Sequence, residues 1–99
     1  MDTFHEFKDN GAKHRYELAA DGHLAILEYL ISGNDIYLTH TEVPPALEGK
    51  GIGSELVGQA LEDIKTKEMK IVPLCPFVAV YVKRHPEWNE FIREGFRIG

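Results

Sequence analysis

From His40 to Gly53 the chain reads HTEVPPALEGKGIG, and no other stretch limits the fold so much. An alternating, β-branched segment ends at Val43, two prolines stop it, and a glycine-rich turn feeds straight into a run with helical spacing. Strand side chains repeat every two residues and helix faces about every 3.6, so the change of period marks a strand–loop–helix unit. Gly49, Gly51 and Gly53 stand at alternate positions. Glycine has no side chain to pack and loses the most backbone entropy on folding. All three are therefore expected to serve the backbone, letting it turn tightly and present N–H groups to an anion. The first turn of the next helix adds unpaired N–H donors and the positive end of its dipole. The loop reads as an anion site, for phosphate above all; a plain strand-to-helix connector is the other reading.

The segments before it read as strands. A short edge strand or a tethered tail precedes the turn signal Asp9-Asn10-Gly11. His14 to Ala20 alternates, Asp21-Gly22 is a hairpin turn, and His23 to Ile31 is apolar enough for a strand covered on both faces. Ile36 to Val43 completes an antiparallel meander. Strict alternation on this last strand puts Ile36, Leu38, His40 and Glu42 on one face, and Tyr37, Thr39, Thr41 and Val43 on the other.

After the loop, Ile52, Leu56, Val57, Ala60, Leu61 and Ile64 form one apolar helix face, the helix running to about Lys67. Met69 to Leu74 is a short strand. Strand, helix and strand make a βαβ unit whose two strands lie parallel through a right-handed crossover. Pro73 has no N–H to give a ladder, so the sheet is expected to open on that side. Pro76 suits a first helical position, placing Cys75 at the mouth of a helix that runs to Arg84. A last short helix is expected over Glu87 to Arg93, with Trp88 available to a contact surface. The sum is one α/β domain over residues 1–99, with a mixed sheet of about four strands.

Ninety-nine residues can build a core without metals or disulfides. A net charge of −5 argues against a nucleic-acid binder, which needs a phosphate-neutralising surface. No run is long and apolar enough for a membrane span, and the opening residues lack a signal-peptide core. The one cysteine, Cys75, cannot form an internal disulfide, which fits a reducing, cytoplasmic compartment. The histidines and the cysteine lack metal-site spacing. The glycine loop is neither a P-loop nor a dinucleotide fingerprint.

The loop Glu48-Gly49-Lys50-Gly51-Ile52-Gly53, set after a meander and before an amphipathic helix, resembles the acetyl-CoA loop of the GNAT superfamily. That superfamily's pattern is Gln/Arg-x-x-Gly-x-Gly/Ala, and Glu48 departs from it at the first position. His40–Val43, Pro73–Phe77 and Tyr81–Pro86 add to the likeness with the small, single-domain GNAT-like proteins. The resemblance implies acetyl-CoA-dependent N-acetyl transfer to an amine, on a small molecule or a protein. It implies that Val43 meets the pantetheine arm and that Gly49, Lys50, Gly51, Ile52, Gly53 and Ser54 hold the pyrophosphate. Lys83 and Arg84 are placed to meet the nucleotide end, or else are a solvated helix end that complements the dipole. Cys75 and His40 are the catalytic candidates, both expected to face the thioester. A thiol at a helix N-terminus has its thiolate favoured, and an imidazole beside it can take the proton. In one route Cys75 carries the acetyl group; in the other the amine attacks directly, with His40 as base and Cys75 or Tyr81 as acid. The plain reading makes Cys75 a small buried hydrophobe and Tyr81, on the apolar helix face, part of the core. A CoA-binding or regulatory module without turnover, or a protein-interaction domain, are the alternatives. The acceptor and the oligomeric state are not legible.

Overall fold

A computed structural model describes residues 5–97. Five strands form one sheet in chain order: β1 (His5–Asn10), β2 (Arg15–Ala20), β3 (His23–Ser32), β4 (Asp35–Glu42) and β5 (Lys70–Pro73). The expected four strands become five because the segment before the first turn pairs fully with β2, from His5 opposite Ala20 to Asn10 opposite Arg15. The first four strands are antiparallel neighbours, and β5 lies parallel to β4.

Helix α1 (Ile52–Thr66) crosses one face of this sheet and buries all six residues of its apolar stripe. They meet Tyr16, Leu18, Leu27, Leu38 and Ile71 in a single core. Removing one such side chain by truncation to alanine costs about 2–5 kcal/mol, because the cavity only partly closes. Polar ties hold the helix in register: the Tyr16 hydroxyl donates to Asp63 at 2.8 Å, and Lys67 bridges Asp63 and Asp9 at 2.8 and 2.7 Å.

Helix α2 (Pro76–Arg84) starts with proline at its first turn and Cys75 as its cap residue. The expected last helix is a short 3₁₀ segment, Pro86–Phe91, after which Ile92 pairs beside Ile71 on the outer edge of β5. Trp88 is not part of a contact surface. It is only 6% exposed and belongs to the core, stacked at a tilt on Phe91.

The strict alternation expected of β4 fails at one residue. Tyr29 of β3 pairs with Leu38, but Glu28 pairs with His40, leaving Thr39 as an extra residue in β4. Such a bulge locally disrupts the ladder; here the Thr39 hydroxyl donates to the Glu28 carbonyl at 3.3 Å. Beyond the bulge the faces exchange. Thr41 stands opposite core residue Leu27 and points to the helix side, whereas His40 stands opposite Glu28 on the open side.

Candidate functional site

The loop after β4 is built from backbone. A 3₁₀ turn, Pro45–Leu47, buries Leu47 as a plug beneath it. Gly49 and Gly51 then take left-handed φ values of 80° and 75°, a conformation that a Cβ opposes by about 1–2 kcal/mol. Gly51 is the cap of α1 and supplies no side chain to the helix N-terminus. The amides of Ile52, Gly53 and Ser54 thus begin a helix without a side-chain cap, as the anion-site reading requires. Gly53 has a different reason to be glycine. A Cβ there would lie 2.6 Å from the Phe77 ring, so this position is needed for packing against α2, contrary to expectation.

The loop opens into a groove of about 520 Å³ lined by Thr41, Val43, Gly49, Gly51, Ser54 and Phe77, among others. Val43 lies just past the last paired residue of β4 and is half-buried. A second depression of about 400 Å³ continues from Ser54 along α2 past Phe77, Val80 and Tyr81 to Arg84. Lys83 is exposed but lines neither depression, and Lys50 is paired at 3.2 Å with Asp21 in the β2–β3 turn. A further depression, about 640 Å³, lies between α1 and the 3₁₀ segment and is lined by Glu55, Glu62, Glu87 and Glu90, with Lys65 the one cation among the described residues that line it. Four carboxylates make it a poor seat for phosphates.

Beyond Leu38 the sheet parts as Pro73 requires. The β4–β5 ladder ends at Leu38 opposite Pro73, while β4 runs on to Glu42. Cys75 sits at the fork. Its N–H donates to the Leu38 carbonyl at 2.8 Å and its carbonyl accepts from Ala79 at 2.9 Å, so both sides of its backbone are held. The side chain is 5% exposed, with Sγ 3.1 Å from the Thr41 hydroxyl.

The expected pair of Cys75 and His40 is therefore not assembled on one face. The bulge turns His40 outward, where it is exposed and, among the described residues, bonded to nothing. Thr41 takes the inward place beside the sulfur. Alternation could not have found Thr41, because only the extra residue at Thr39 brings it in. Tyr81 packs over Gly58 of α1, where a Cβ would lie 2.9 Å from its hydroxyl, and stacks on His85. Burial, and then the charges of Glu87 and Glu62, push its hydroxyl above the ordinary tyrosine range. It does not line the cavity beside the glycine loop.

A five-stranded mixed sheet that forks beside a glycine-built helix N-terminus defines an acyltransferase-type fold, and the comparisons name it. Residues 15–91 match the family model described as GCN5-related N-acetyl-transferase, so the chain belongs to that family. It is similar to protein NATD1 of Gallus gallus and of Mus musculus, 38% identical over 63 residues in each case. The matched part is 63% of this chain and 57% of those relatives, so the chain spans little more than half of their length. Protein NATD1 of Homo sapiens is likewise 38% identical over 63 residues, 56% of its length. The fold is similar to the NMR structure of a Staphylococcus aureus protein described as GCN5-like, with a TM-score of 0.68 at 23% identity. That match covers 88% of this chain and 86% of the other.

Proposed function

We propose that this chain is an acetyl-CoA-dependent N-acetyltransferase that moves an acetyl group to an amine in a reducing, cytoplasmic setting. The observation that carries the reading is the groove itself. It runs from the uncapped N-terminus of α1, past Val43, to Thr41, whose hydroxyl lies 3.1 Å from the Cys75 sulfur. The residues fit the cofactor by their chemistry: two left-handed glycines and free amides for a diphosphate, an apolar channel beside Val43 and Phe77, and a cation at Arg84. Bound there, acetyl-CoA supplies an activated acetyl thioester.

The chain's own residues do the remaining work on one face. His40 stands on the other, opposite Glu28, so the proton of the incoming amine would pass to solvent. On the helix side, Cys75 at the mouth of α2 would take the acetyl group from the thioester, with release of the CoA thiol, and pass it to the amine. Membrane insertion plays no part in this reading: no described helix is long and apolar enough to cross a bilayer.

Titration with acetyl-CoA tests the reading. A ligand at one hundred times its Kd stabilises the folded state by about 2.7 kcal/mol, which appears as a clear rise in melting temperature. No heat and no rise would remove the enzyme and the CoA-binding module together. Binding without CoA release in the presence of amines would leave only the module. For the Cys75 route, intact-mass measurement should show a gain of one acetyl group that is absent in Cys75→Ala. Full amine acetylation by that variant would dismiss the route.

A further inference from the structure

We propose that Thr41 is a positioning residue for Cys75, donating its hydroxyl hydrogen to the sulfur and so favouring the thiolate. The inference rests on the reading of Cys75 as the acetyl carrier. Three observations lead to it. The Oγ1–Sγ distance is 3.1 Å, and Thr41 makes no other side-chain hydrogen bond among the described residues. Thr41 also lines the groove, so its hydroxyl links the groove to the buried sulfur. Finally, the bulge at Thr39 removes the imidazole that would otherwise be the partner, leaving the hydroxyl as the sulfur's polar neighbour.

The other titratable or charged groups on the surrounding elements are badly placed for this task. His40 stands opposite Glu28 on the far face, Glu42 and Glu48 line the groove without a bond to the sulfur, and Lys70 is exposed at the start of β5. Glu48 is in the exposed loop, and Glu55 of α1 is tied to His5 at 2.8 Å. On α2 itself, Lys83 and Arg84 lie in the last turn, His85 bonds to the Tyr81 carbonyl, and Tyr81 faces α1. A hydroxyl that donates to sulfur stabilises the charged form, while burial opposes it.

Cys75 is the chain's one cysteine, so alkylation by iodoacetamide reports on it alone and needs no acetyl-CoA. The rate is measured against pH for the wild type, Thr41→Val and Thr41→Ser. A hydrogen bond to a charged group of ordinary strength predicts that Thr41→Val moves the midpoint up by about one pH unit. Thr41→Ser, which keeps the hydroxyl, should restore it. A role in packing alone would change the plateau rate through access and leave the midpoint fixed; that result overturns the proposal. If the valine protein does not fold, Thr41→Ala is judged by the same criterion. A fixed midpoint with intact acetyl transfer removes Thr41 and spares the enzyme reading. A moved midpoint without acetyl transfer does the reverse.

Discussion

The two ends of the groove are made differently. Around Gly49–Ser54 the groups proposed to meet the cofactor are amides, and the side chains are chosen for what they do not obstruct. Around Cys75 the groups proposed to act are side chains, and which of them face one another depends on a single extra residue in β4. A site built from backbone shows itself in a sequence as glycines at a period change. A site built from side chains depends on register, and a shift of one residue exchanges every face beyond it.

The contrast breaks most readily at the thiol end. Exchanging His40 and Thr41, as His40→Thr with Thr41→His, pushes an imidazole against Leu27 and the sulfur in a half-buried place. Overpacking together with an ill-matched polar ring should cost about 2–3 kcal/mol in urea unfolding. The single change His40→Ala should cost under about 0.5 kcal/mol, as exposed substitutions usually do. If His40→Ala proved as costly as the exchange, His40 would face inward and the bulge would be misplaced.

The glycine end should answer to backbone strain alone. At Gly51 a new Cβ meets nothing within 4 Å, yet φ is 75°. Gly51→Val therefore adds no clash with neighbouring residues and still opposes the left-handed cap, by about 1–2 kcal/mol or somewhat more for a β-branched residue. Part of that strain is relieved by unwinding the first turn, so acetyl-CoA affinity should fall by roughly tenfold or more by calorimetry. Unchanged affinity would mean that the amides of Ile52 to Ser54 do not hold the ligand.

How far the molecule was legible follows the same division. The meander, the α1 stripe, the parallel β5 and the opening at Pro73 were all readable, because each rests on periodicity or on a missing donor. The bulge was not, since Thr39 is as acceptable in a regular strand as outside one. Trp88 was misread for a related reason: an aromatic near a chain end has no period to show which way it faces, and here it completes the core. Glu17 was silent as well. It is 5% exposed on the sheet face away from α1. Burial works to raise its carboxyl, but hydrogen bonds from Arg15 and Asn10, with the charges of Arg15 and Lys8, hold it below the usual range. Only strand pairing brings Lys8 opposite it.

The smallest expected effect is at Gly53, where the two kinds of construction meet. Gly53→Ala gains helix propensity worth about 1 kcal/mol, but its Cβ would lie 2.6 Å from Phe77 Cζ. Phe77 is 42% exposed, so its ring can swing away, and the two effects should nearly cancel in the single variant. In a Phe77→Ala background the obstruction is gone and the same change should stabilise by about 0.5–1 kcal/mol. The difference between the two backgrounds, read from a double-mutant cycle in urea, measures the contact directly. A coupling near zero would show that the Phe77 ring does not require glycine at position 53.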